Sequence, residues 1–186
     1  MELILVRHPR PLVDAGICYG SSDLPVAQDE LTRVHQSLQL PRAPVFSSPL
    51  QRCAALARRL SADVVFDANL AEMDFGSWEG RVWDDIPRAD VDAWAADLLH
   101  YRPGGGETVL EVATRVAAAV DAIRRHGAPT GIVVCHAGTI RLITALASGA
   151  PLAEAALAAA ATPHRIAYGA VTRVSSKAAK PASKPV

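Results

Sequence analysis

The sequence predicts an α/β fold, a three-layer α/β/α sandwich around a mainly parallel central sheet. Short runs rich in Val and Ile alternate along the chain with longer Ala- and Leu-rich segments of helical period. The short runs lack polar alternation, the pattern of strands covered on both faces. Strand–helix–strand succession of this kind builds a parallel sheet with helices on its two sides.

Each element has its own signal. ELILV (2–6) is the first strand, and Pro9 stops it soon after Arg7 and His8. VAQDELTRVHQSL (26–38) reads as a helix without a clear start. APVFSS (43–48) is the second strand. LQRCAALARRL (50–60) follows Pro49, a good helix opener. DVVFD (63–67) is the third strand. In ETVLEVATRVAAAVDAIRRHG (107–127), Val109, Val112, Ala113, Val116, Val120 and Ile123 recur at three- and four-residue steps, giving one apolar face. Arg124, Arg125 and His126 crowd its last turn, and Gly127 ends it. GIVVC (131–135) is the fourth strand. TIRLITALASG (139–149) and PLAEAALAAAAT (151–162) are two more helices. AYGAVTRVS (167–175) is a fifth strand, suited to a sheet edge. SKAAKPASKPV (176–186) has no periodicity and is expected to be a disordered tail, leaving residues 1–175 as one domain.

Composition narrows the classes of function. Lys+Arg and Asp+Glu both number 19, so the formal net charge is zero. That argues against a nucleic-acid partner and against a polybasic membrane patch. No apolar run approaches the roughly 20 residues of a membrane span. The opening Met1-Glu2 lacks the basic leader of a signal peptide. Cys18, Cys53 and Cys135 are odd in number, widely spaced and without a CxxC, so they read as free thiols in a reducing compartment. A cytoplasmic protein is expected, and its oligomeric state is left open.

The polar residues then fall into a pattern. Arg7 and His8 end the first strand, His136 ends the fourth, and Arg52 lies in the first turn of the helix after the second. In a parallel sheet these positions share one edge, where ligands of such folds bind. Two arginines and two histidines repel one another unless an anion lies between them. Phosphate fits best, because guanidinium offers a planar fork and imidazole a further donor. The helix N-terminus near Arg52 would add oriented N–H groups. A neutral imidazole can attack phosphorus to give a phosphohistidine, while the other cations hold the charge on the equatorial oxygens. LAEMDFGSWEG supplies carboxylates at Glu72, Asp74 and Glu79 for protonating the leaving oxygen, with apolar neighbours able to raise a carboxyl pKa.

These stretches carry a family resemblance. LVRHP (5–9), SSPLQRC (47–53), AEMDFGSWEG (71–80), GGGET (104–108) and VCHAGTIR (134–141) resemble, in order and spacing, the histidine phosphatase superfamily, also called phosphoglycerate mutase-like. The resemblance implies a phosphoglycerate mutase-like fold and chemistry without metal or cofactor. It implies His8 as nucleophile, Arg7, Arg52 and His136 as the rest of the phosphate pocket, and Glu72 as proton donor. Gly138 matches a glycine whose small size lets backbone approach the ligand. The chain departs from the family's common form at Pro9, where glycine is usual, and at Arg10-Pro11 and Asp14. CYGSSDLPV (18–26) keeps a Gly-x-x-Asp-x-Pro outline but has lost the Leu-Thr-x-x-Gly helix start. RHPRP with the CYGSSDLP loop is similar to the bacterial α-ribazole phosphatase branch, whose members remove the 5′-phosphate of a benzimidazole nucleotide in cobalamin assembly. The short stretch between Gly80 and Gly104 fits that branch, since mutases build a larger lid there. Arg10, Tyr19, Gly20, Ala137 and Gly138 are the candidate substrate contacts.

The expected function is therefore a metal-independent phosphomonoesterase acting on a small phosphorylated substrate. Two other readings stand beside it: a mutase returning the phosphoryl group to its substrate, and a non-catalytic phosphate-binding module. Among the remaining residues, Trp78 reads as core or pocket wall, and Trp83, Trp94 and Cys135 as core. Glu107 reads either as ordering the loop near the pocket or as a helix cap. His126 reads as a helix C-cap contact and His35 and His100 as surface. His164 is a candidate for the pocket mouth.

Overall fold

The computed structural model describes residues 1–163 and 165–175; the proposed disordered tail and His164 lie outside the described residues. Strands β1 (Glu2–Arg7), β2 (Val45–Ser47), β3 (Val64–Phe66), β4 (Thr130–Cys135) and β5 (Val171–Ser175) form one sheet in the order β3-β2-β4-β1-β5. The first four are mutually parallel, and β5 runs antiparallel to β1 at the edge. Six α-helices are described: α1 (Gln28–Ser37), α2 (Gln51–Leu60), α3 (Arg88–Ala96), α4 (Val109–Arg125), α5 (Ala137–Leu146) and α6 (Leu152–Ala161).

The unbroken apolar runs resolve into two faces of period two. Leu3, Leu5, Val133 and Cys135 pack with α4, α5 and α6, whereas Ile4, Val6, Ile132 and Val134 pack with α1 and α2. Each of these strand side chains is buried, worth about 1.5–3 kcal/mol for a Val, Leu or Ile. Both layers of helices therefore rest on the two central strands that carry Arg7-His8 and His136 at their ends. No helix of the described residues is long and apolar enough to cross a membrane.

Three local readings change. DVVFD is not covered on both faces: β3 is the outer strand beside β2, and Val65 and Phe66 remain 49% and 40% exposed. The stretch 81–103, expected to add little, carries α3 and a short turn at Trp83–Asp85. Helix α5 begins at Ala137, two residues earlier than its periodicity suggested, with His136 as extended N-cap. The helical register of α4 holds, and its cap is Thr108 with Glu111 in a reciprocal capping box.

Candidate active site

The parallel pairing of β1 with β4 sets Arg7 opposite Cys135, so the residues that follow each strand emerge side by side. The His8 N–H donates to the Cys135 carbonyl at 3.0 Å, and the His8 and His136 rings lie 5.0 Å apart. Strand β2 pairs with β4 on its other side, and Ser48 N–H donates to the Val134 carbonyl at 3.1 Å. That brings the start of α2, and with it Arg52, to the same edge. His8, Arg52 and His136 are at most 2% exposed.

Hydrogen bonds assign the ring protons. His8 Nδ1 lies 2.7 Å from the Pro9 carbonyl oxygen, which only accepts, so Nδ1 carries the hydrogen. His8 Nε2 then holds the lone pair. Pro9 cannot donate an N–H, but this contact uses its carbonyl, so proline in place of glycine leaves it intact. Burial, with the Arg52 and Arg7 charges, lowers the His8 pKa to about 3 despite the Pro9 contact, which favours the proton. Arg52 Nε donates to His136 Nδ1 at 3.3 Å, and His136 Nε2 lies 2.9 Å from Ser48 Oγ. Guanidinium only donates, so His136 is the neutral Nε2–H tautomer. Burial, then the neighbouring His8 and arginine charges, hold its pKa well below the ordinary value.

The guanidinium of Arg52 also donates to the Ser22 carbonyl at 2.6 Å and to the Gly20 carbonyl. Arg7 donates Nη1 to the Ile166 carbonyl, and its Nε is buried with no hydrogen-bond partner among the described residues. A buried guanidinium N–H without an acceptor fits an anion at this edge.

The three candidate carboxylates separate. Glu72 lines a cavity of about 360 Å³ together with Arg7, His8 and Arg52. It accepts Gly138 N–H at 2.9 Å, the first turn of α5. Asp74 instead accepts Gly76 N–H, and Glu79 clamps Ser21, Ser22 and Phe75 backbone N–H groups at 2.6–3.0 Å. Arg115 of α4 braces the Glu72 loop. It donates to the carbonyls of Asn69, Ala71 and Glu72 at 2.7–3.1 Å and forms a two-pronged ion pair with Glu107. Glu107 in turn accepts the Asp74 N–H at 3.0 Å, so it orders this loop rather than capping α4.

A family model describing the histidine phosphatase superfamily (branch 1) matches residues 3–181. The chain belongs to that superfamily. Its curated relatives include a bifunctional protein of Mycobacterium tuberculosis, 37% identical over 56% of this chain. The chain spans about a third of that relative's length, the match covering 31% of it. The adenosylcobalamin/alpha-ribazole phosphatase of Escherichia coli is 31% identical over 81% of each chain. The crystal structure of the alpha-ribazole phosphatase from Shigella flexneri superposes with a TM-score of 0.77 at 26% identity, covering 93% of this chain and 89% of the other.

Within this histidine phosphatase fold, the residues picked from sequence divide as follows. Arg7, His8, Arg52, Glu72 and His136 are brought together, and Tyr19, Ala137 and Gly138 line the same cavity as Glu72. Gly20 sits behind them, offering its carbonyl to Arg52; a Cβ there would lie 1.9 Å from the Met73 carbonyl oxygen. Arg10 is not in the cavity. It is exposed, lies in a separate groove with Asp14 and Glu30, and donates its backbone N–H to Glu30. The expected N–H cluster at the α2 start is occupied by the Asp23 carboxylate, 2.6 Å from Gln51 N; the helix end facing the cavity is that of α5. Gly138 leaves room for Glu72, whose Oε1 would be 2.4 Å from an added Cβ.

Sequence reasoning missed several participants. Trp83 and Trp94, expected in the core, line the cavity beside Phe75, and Trp94 also packs on the buried cluster of Cys18, Trp78 and Ile86. Phe75 meets both indoles edge-on at 5.9–6.0 Å, and Trp94 Nε1 is buried without a partner among the described residues. Trp78 is core, 2% exposed. Ser48 and Arg115 gave no chemical signal, because each acts through residues far away in sequence. Tyr168 was read inside the fifth strand but precedes β5, and its ring lies 4.0 Å from the Arg7 guanidinium. The antiparallel edge pairing would have found it: Val6 opposite Val171 puts residues before 171 beside Arg7.

Proposed function

We propose that the protein is a phosphomonoesterase working through a phosphohistidine on His8. The observation that carries this reading is the His8 Nδ1–Pro9 contact at 2.7 Å, which leaves Nε2 unprotonated on a residue that lines one cavity with Arg7 and Arg52. Nε2 forms a bond to phosphorus as the bond to the ester oxygen breaks, and Glu72 gives its proton to the departing alkoxide. The ring gains positive charge in this step, and the Pro9 carbonyl stabilises it through Nδ1–H. Arg7, Arg52 and His136 surround the phosphoryl group, His136 fixing Arg52 through Nδ1. Water then attacks phosphorus and gives its proton to Glu72, the N–P bond breaks, and phosphate leaves.

The preferred alcohol is one bearing a flat apolar ring system, with α-ribazole 5′-phosphate the first candidate. The aromatic wall of Phe75, Trp83 and Trp94, adjoining Met73, Val109 and Val112, supports this choice, as does likeness to the E. coli enzyme. Rapid acid-free quench after mixing with labelled ester should trap acid-labile, alkali-stable label on the wild type and none on His8→Ala, with EDTA without effect on turnover. Trp94→Ala should raise KM for α-ribazole 5′-phosphate about tenfold, well beyond its effect on glycerol phosphate. Full turnover by His8→Ala would end the proposal, and equal KM changes for the two esters would end the substrate assignment.

A further inference from the structure

Two tyrosines link the phosphate arginines to each other, and the chemistry above uses neither. Tyr168 lies just beyond the end of β1, where Gly169 N–H donates to the Arg7 carbonyl at 3.1 Å and Arg7 N–H to the Ala170 carbonyl at 3.0 Å. Its ring faces the Arg7 guanidinium at 4.0 Å and the His8 ring at 5.6 Å. Tyr19, from the loop before α1, has its ring 5.5 Å from the Arg52 guanidinium. The two hydroxyl oxygens are 2.8 Å apart, within hydrogen-bond distance. Arg7, Tyr168, Tyr19 and Arg52 therefore form one continuous chain around the cavity.

Counting hydrogens gives the pair a second role. Two phenols hold two O–H hydrogens, and the bond between them uses one. The other needs an acceptor. Tyr19 lines the cavity, so when Tyr168 donates to Tyr19 the remaining hydrogen belongs to the tyrosine at the site. Burial, the largest influence on it, raises the Tyr19 pKa, so the phenol keeps its hydrogen across the working pH range. We infer that the Tyr19–Tyr168 pair is a positioning device that fixes both arginine forks by stacking, and that Tyr19 donates its free O–H to a phosphoryl oxygen of the bound ester.

The inference rests on the phosphomonoesterase reading, and inorganic phosphate separates the two. Calorimetric titration with phosphate reads the pair without turnover; binding without hydrolysis of p-nitrophenyl phosphate would fail the earlier reading alone. Tyr168→Leu removes ring and hydroxyl, and should weaken phosphate binding about tenfold or more, the range of a lost cation–π contact together with a hydrogen bond. Tyr168→Phe keeps the ring and should cost about threefold. Tyr19→Phe should lower kcat/KM about tenfold, a charge-assisted hydrogen bond. The double variant Tyr19→Phe/Tyr168→Phe should do no worse than Tyr19→Phe, because the pair acts as a unit. Should Tyr168→Leu fail to fold, the two Phe variants and their combination decide the matter. Phosphate affinity of a folded Tyr168→Leu within twofold of wild type, or Phe losses that simply multiply, would overturn the inference.

Discussion

Gly138→Ala offers a sharp test, because the structure predicts a small effect on the fold and a large one on the chemistry. Gly138 is the second residue of α5 and has an ordinary helical backbone, with no positive φ. Alanine is the better helix former by about 1 kcal/mol. The added Cβ would stand 2.4 Å from Glu72 Oε1 and 3.1 Å from its Cδ. Restoring an ordinary contact of 3.4 Å moves Oε1 by about 1 Å, and the Gly138 N–H···Oε2 bond at 2.9 Å is strained with it. The carboxylate is the far end of a flexible side chain, so it yields cheaply, and Tm should change by only a few degrees. A proton donor misplaced by that distance should lower kcat by about 100-fold. The loss should depend on the leaving group. An alkyl phosphate needs the proton and should show the whole effect, whereas p-nitrophenyl phosphate departs as a stable anion and should lose less than about tenfold. Steady-state kinetics on both esters, with a thermal melt of each protein, makes the comparison. An unchanged kcat on the alkyl ester, or equal losses on both, would refute the assignment of Glu72 as acid.

Two further outcomes can be measured. An unfolded histidine takes up its proton near 6.5, while His8 in the fold does so at about 3, and His136 shifts in the same direction. Between those pH values the unfolded chain binds the extra protons. Stability is therefore full above 6.5 and should fall by a few kcal/mol as pH drops toward 3; urea melts at pH 7, 5 and 4 should show the slope, flattened in His8→Asn. Arg115→Met leaves Glu107 and three loop carbonyls without their partner at a site where both ionic side chains are mostly buried, 18% and 27% exposed. It should cost about 2 kcal/mol in urea and lower kcat while leaving inhibition by inorganic phosphate unchanged, the latter because Arg115 braces Glu72 and not the phosphate arginines.

The fold and the central four residues were legible for a shared reason. A strand buried on both faces is apolar throughout, so the first polar residue after it stands out, and parallel order places all such residues at one edge. Arg7, His8, Arg52 and His136 were found that way. Glu72 was found only as one of three carboxylates. What separates it from Asp74 and Glu79 is that it caps onto α5, whereas the others bind loop backbone N–H groups. The helix α3 and the stacked indoles it helps to place went unread, because that segment has a weak apolar face, with no fully buried residue, and rests on a small satellite cluster of Cys18, Trp78 and Ile86 beside the cavity. Arg10, next to the nucleophile in sequence, stands exposed in a separate groove, a placement that its local sequence does not distinguish from a substrate contact.

Periodicity and strand-end chemistry alone thus determined the sheet, its helical layers and the residues that could meet a phosphate. Tertiary packing decided which groups act in concert: the proton positions on two imidazoles, the single carboxylate in reach, the guanidinium brace beneath it and the tyrosine pair above. Those choices depend on contacts between residues tens of positions apart, at separations of a few ångströms. No local pattern of residue types encodes such distances, because hydrogen bonds and desolvation act across folded space and not along the chain.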